Sequence, residues 1–161
     1  MIWELIYVPR HKTLGEVHDE CIADNLIKDI QEVEPQKVKD LLENGDIYQE
    51  GAVERARRLD KADKKWMLVF VDWYETLRLY SEALAHLDRK KITNHQCLFA
   101  YLCTKYPELE LDWDFFEKVR TMRNGVNYYG QKITYEQWEA VKLQMTLYAK
   151  AVKKAVEERV S

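Results

Sequence analysis

The sequence predicts an all-α protein, an up-and-down antiparallel helical bundle. Two observations carry that expectation. Only 5 Gly and 3 Pro occur in 161 residues, too few for the many turns of a β-sandwich. Apolar residues also recur at spacings of three and four over long stretches, which puts them on one face of a helix. The length suits one domain able to bury roughly 70% of its unfolded surface, so neither metal nor disulfide is required for a core.

The elements follow in order. "MIWELIYVPR" (1–10) reads as a short strand or an extended arm closed by Pro9. It lacks the basic start of a secretory signal, so none is expected. Thr13 and Glu16 have capping-box spacing, and a helix is expected after them with Leu14, Val17, Cys21, Leu26 and Ile30 toward the core. Pro35 suits the first turn of a second short helix that closes near Gly45. "GDIYQEG" then reads as a loop, dividing residues 1–50, an arm and short helices, from a bundle over 51–161.

The segment "GAVERARRLDKADKK" is helical and locally basic. It reads either as a solvated face with i,i+4 pairs or as a patch facing phosphates. Next comes the hydrophobic spine: Trp66, Val69, Trp73, Leu77, Tyr80, Leu84 and Leu87 form one stripe, widened by Phe70 and Tyr74. Such a helix is expected to be covered on more than one side. Thr93 and Gln96 have capping-box spacing before a helix that ends at Pro107. Asp112 is the expected N-cap of the next, whose stripe is Phe115, Val119, Met122, Val126 and Tyr129, with Gly130 at its end. Thr134 and Gln137 open the last helix. From 135 to 160 it would be about 39 Å long, with a seam at Trp138, Val141, Met145, Tyr148, Val152 and Ala155.

Net charge is −3, so a nucleic-acid role would need a local basic patch. Cys21, Cys97 and Cys103 are odd in number with no CxxC, and read as reduced core thiols of a cytoplasmic protein. The longest strongly apolar run, "WMLVFV", is too short for a bilayer. His11 and His18 do not have a metal-site spacing, and no Gly-rich phosphate loop or nucleophile motif is present, so no metal or cofactor is expected.

"TMRNGVNYYG" (121–130) is the densest polar cluster. Arg120, Arg123 and Asn127 lie at i, i+3 and i+7 on one face, with Asn124 and Tyr128 on the adjacent ridge. Guanidiniums, carboxamides and a phenol at one helix end have the donors to hold a phosphate or carboxylate. The same residues also suit a helix C-terminus, where basic groups and a final Gly are favoured.

The stretch resembles the signature of the HEPN superfamily, in which an Arg and a polar residue are followed by a His at the fifth or a slightly later position after the Arg. Here Arg123, Asn124, Asn127 and Tyr128 occupy that pattern. The order of a Trp/Tyr-rich helix, "KKITNHQCLFAYL", the motif helix and a long last helix is similar too, over roughly residues 51 to 160. The resemblance implies a helical bundle, often a homodimer with facing motif helices. It implies RNA or a nucleotide as ligand and, in some members, a nucleotidyltransferase partner in a toxin–antitoxin or defence setting. In active members, metal-independent RNases, the Arg stabilises phosphate charge and the His moves protons.

Tyr128 stands where the His is expected. A phenol (reference pKa about 10, against about 6.5 for imidazole) stays protonated at neutral pH and is a poor base. The resemblance thus implies a module that binds RNA, a nucleotide or a protein partner, with no or weak catalysis. The alternative is a metal-independent RNase toxin using Arg123 and Tyr128 across a dimer cleft, with Asn124 in support and Arg120 and Asn127 as binding residues. A third reading is a dimer or adaptor whose Arg/Asn face makes interface hydrogen bonds. His86 and His95 read as cap or surface residues.

Overall fold

A computed structural model of the chain describes residues 11–161. The strand or arm expected over 1–10 lies outside the described residues. Among the described residues six α-helices make up the fold: α1 (Leu14–Ala23), α2 (Pro35–Arg58), α3 (Trp66–Leu87), α4 (His95–Lys105), α5 (Trp113–Tyr129) and α6 (Tyr135–Val160). A two-residue antiparallel bridge, β1 (Lys28–Asp29) with β2 (Lys90–Lys91), completes it. The protein is an all-α bundle. None of the described helices is long and apolar enough to cross a membrane.

The spine helix α3 is the centre. Phe70, Tyr74, Leu77, Tyr80, Ala83 and Leu84 are wholly buried, which needs cover on more than one side. α2 supplies one wall, antiparallel to α3: Gly45 meets Tyr80 and Arg55 bonds Asp72. α6 supplies the other and runs parallel to α3, with Trp66 against Tyr135, Lys153 over Tyr80, and Arg159 bonding the Leu87 carbonyl. α5 lies antiparallel to α6, joined by Phe115 and Phe116 against Tyr148. α4 fills the space between α3 and α5, with Phe99 edge-on to Tyr74 and stacked on Phe116.

Caps fall mostly where the spacing placed them. Thr13 accepts from the Glu16 N–H, Asp112 from the Asp114 N–H, and Thr134 with Gln137 closes a full capping box. For α4 the cap is Asn94, not Thr93: Asn94 Oδ1 accepts from the Cys97 N–H at 3.0 Å.

Three expectations are corrected. The loop expected at 45–51 is helix: α2 runs unbroken from Pro35 to Arg58, across the boundary drawn at residue 50. Burial of Gly45 against Tyr80 outweighs its poor helix propensity. α1 stops at Ala23, so Ile27 joins the core while Ile30 leads into the bridge. Cys21 and Cys97 are not free thiols but a disulfide, with Cα atoms 5.8 Å apart, tying α1 to α4. Only Cys103 is free, and it is buried. The cytoplasmic expectation thereby loses the support of three reduced thiols.

Candidate functional site

The motif occupies the last turns of α5. Phe115, Phe116 and Val119 bury the helix's inner side, while Met122 and Val126 are half-buried. Tyr129, expected to continue that stripe, is 77% exposed. Gly130 ends the helix in the left-handed region at φ 63°, and the Gln131 N–H donates back to the Gly125 carbonyl at 3.1 Å. A side chain at 130 would be strained there, so the C-terminal role of this glycine is structural.

The predicted residues divide between two surfaces. Arg120, Asn124 and Tyr128 follow one ridge and line a shallow groove of about 330 Å³ with Gly125 and Gln131. Arg123 turns elsewhere: its Nη1 donates to Asn127 Oδ1, one helical turn on. Tyr128 follows Arg123 by five residues, about 140° around the helix axis. It is 76% exposed. Within one chain, Arg123 and Tyr128 therefore do not converge on one ligand atom.

What lies near Arg123 comes from α3 and α4. Arg120 donates through Nε and Nη2 to the Glu117 carboxylate at 3.0 and 2.9 Å. Glu117 also accepts from Gln96 Nε2 at 3.3 and 3.2 Å, which fastens the start of α4 to α5. Arg78, on α3, is held between Glu75 and Glu82, both at 2.7 Å. The preceding turn of α3 carries Tyr74, whose hydroxyl is 3.3 Å from His95 Nδ1.

Electrostatics tie these groups together. Burial pushes the Tyr74 phenol well above its ordinary range, the nearby Arg120 and Arg123 opposing it only in part. The phenol therefore keeps its proton, and it pairs with Nδ1 of His95. Burial also pushes the His95 imidazolium down, and Arg78, Arg123 and Arg120 push the same way, while Glu75 opposes them. His95 is thus favoured in its neutral form and sits within electrostatic reach of all three guanidiniums.

Arg123 is the unbalanced member. Arg78 and Arg120 have carboxylate partners, whereas Arg123 has only a carboxamide among the described residues. Its Nε is buried and has no hydrogen-bond partner. A buried N–H left unsatisfied costs about 1–3 kcal/mol, more on a charged group. The arrangement offers an anion the half-buried Arg123 guanidinium, whose charge no carboxylate opposes among the described residues. It offers no carboxylate cluster for a metal, since no group of three or more His, Cys, Asp or Glu side chains among the described residues could hold one.

His95 is the residue the sequence did not assign. It lies 28 positions from Arg123, on another helix, and no spacing rule joins them. Only the packing of Phe99 on Phe116 and the Gln96–Glu117 bonds bring the two helices together. Comparison of the chain with family models, curated proteins and solved structures returns no match.

Proposed function

We propose that this is a HEPN-like helical module that binds a phosphate-bearing ligand, RNA or a nucleotide, at Arg123, without efficient cleavage. The observation that supports it is the half-buried Arg123 guanidinium, whose partner is the Asn127 carboxamide and which has no carboxylate to neutralise it among the described residues. A phosphate supplies the missing negative charge. The neutral His95 adds a donor, and a bound phosphate would offset the three guanidiniums that disfavour its protonation. Ligand binding therefore favours proton uptake at His95 and strengthens as pH falls.

The RNase reading, with Arg123 and Tyr128 acting together, needs two copies of the chain, because the two residues face different directions on one helix. The exposure of both Tyr128 and Tyr129 leaves them available to a second motif helix.

Incubation of the protein with RNA in EDTA at neutral pH, beside titration with a nucleoside monophosphate, separates the readings. Nucleoside monophosphate binding that Arg123→Ala abolishes, with no cleavage of the RNA, supports the module. Metal-free cleavage abolished by Arg123→Ala replaces it with the enzyme.

A further inference from the structure

A second surface, remote in sequence from the motif, gathers positive charge on a chain whose net charge is −3. α2 and α6 form the walls of a groove over α3. Two shallow basins, of about 450 and 610 Å³, meet at Trp73 and Thr146 and make it continuous. Six cations line it, Arg57, Lys61, Lys142, Lys150, Lys153 and Lys154, against two carboxylates, Glu139 and Glu157. On α6 the wall runs from residue 139 to 157, about 27 Å at ~1.5 Å per residue.

The cations are unequally engaged. Lys153 is bound to Asp46 at 2.8 Å. Lys142 is 3.7 Å from Glu139, and Lys61 lies 5.4 Å above the Tyr135 ring. Arg57 and Lys150 have no ion pair among the described residues, although both neighbours of Arg57's charge cluster, Arg55 and Arg58, do. Six cations against two carboxylates leave a net positive wall, which is more stable when an anion lies along it.

The occupant follows from the lining. Trp66, Trp73 and Trp138 are each less than 9% exposed, so the floor has almost no apolar surface to offer. An acidic helix would need apolar anchor sites at i, i+3/i+4 spacing. The groove gives it one exposed apolar side chain, Leu147, at the rim. A flexible chain with regularly spaced charge needs only the row of cations. We infer that the α2–α6 groove is a binding track for single-stranded nucleic acid, separate from the Arg123 site and independent of it.

The test is fluorescence anisotropy of an oligouridylate of about eight nucleotides, a length in the range of short single-strand sites, over a series of salt concentrations. Five loosely engaged cations (Arg57, Lys61, Lys142, Lys150 and Lys154, the last 3.8 Å from Glu158) give an expected slope of log K against log salt of about −3.5, at ~0.7 per phosphate contact. The triple variant Arg57→Ala, Lys142→Ala, Lys150→Ala should flatten it to about −1.4, with unchanged helicity by circular dichroism. Arg123→Ala should change the slope by no more than ~0.7, the share of one phosphate contact, which keeps this site distinguishable from the other. An unchanged slope in the triple variant overturns the inference. So does an absence of oligouridylate binding to the wild type, or polyglutamate of equal charge binding as tightly as RNA.

Discussion

Gly45→Ala in α2 tests the packing that holds the fold together. An ideal Cβ at 45 would lie 2.4 Å from Tyr80 Cε1 and 2.7 Å from Cδ1. The ring has little freedom to move aside. It is wholly buried, and its hydroxyl is bonded to Asp46 and, at 3.3 Å, to Gln49. The α2 backbone is fixed too, since Thr76 Oγ1 donates to the Gly45 carbonyl at 3.1 Å. Relief must come from separating α2 and α3 or from breaking the Tyr80 anchor. Overpacking of this kind costs about 1–3 kcal/mol. Replacing a mid-helix Gly by Ala returns about 1 kcal/mol through helix propensity. The net expectation is a loss of up to about 2 kcal/mol, a fall in Tm of up to roughly 8 °C for a domain of this size.

Gly51 is the internal control. It lies in the same helix, exposed, and a Cβ there meets nothing closer than an Asp72 carboxylate oxygen at 3.9 Å. Gly51→Ala should therefore stabilise, by up to about 1 kcal/mol. Thermal melts by circular dichroism of the two single variants should move in opposite directions. If Gly45→Ala raises Tm as Gly51→Ala does, the close α2–α3 approach is wrong.

The Cys21–Cys97 disulfide spans 76 residues, and its loss should cost about 4 kcal/mol on chain-entropy grounds; denaturant melts of the Cys21→Ser, Cys97→Ser variant check this. Burial pushes the Cys103 thiol up to about 12, so iodoacetamide at pH 8 should leave it unmodified in the folded protein and label it on unfolding, read by mass spectrometry. His86 is buried, accepts the Glu34 N–H at Nε2 (2.9 Å), and has its imidazolium pushed down by burial and by Lys37. Its contribution to stability is therefore full above the unfolded value near 6.5 and is lost as pH falls through the lowered folded value. Denaturation midpoints should drop between pH 7 and 5.5, and His86→Gln, which keeps an acceptor, should flatten that part of the profile.

Much of the helical layout was legible, because its causes are local. The stripes of α3 and α6, the caps at Thr13, Asp112 and Thr134, and the left-handed Gly130 all follow from spacing or from one residue's backbone preference. What the sequence hid depends on distant contacts. Gly45 and Gly51 suggested a break, but Gly45 is where α2 comes closest to α3, and helix propensity yields to packing. Nothing in the spacing of Cys21 and Cys97 revealed that α1 lies on α4. The motif was legible as a cluster, yet its division was not: helical geometry sends Arg123 and Tyr128 apart, while Phe99 and Gln96 bring His95 to the arginines.

We propose Arg123 as the anion-binding group of this fold. Isothermal titration with a nucleoside monophosphate, too short to occupy the α2–α6 groove, is the decisive measurement, in wild type, Arg123→Ala and Tyr128→Phe. Wild type and Tyr128→Phe should bind alike, because Tyr128 lines a different groove, and Arg123→Ala should lose at least about tenfold, the ~1.4 kcal/mol low end of a charged hydrogen bond. Undiminished binding by a folded Arg123→Ala protein would contradict it.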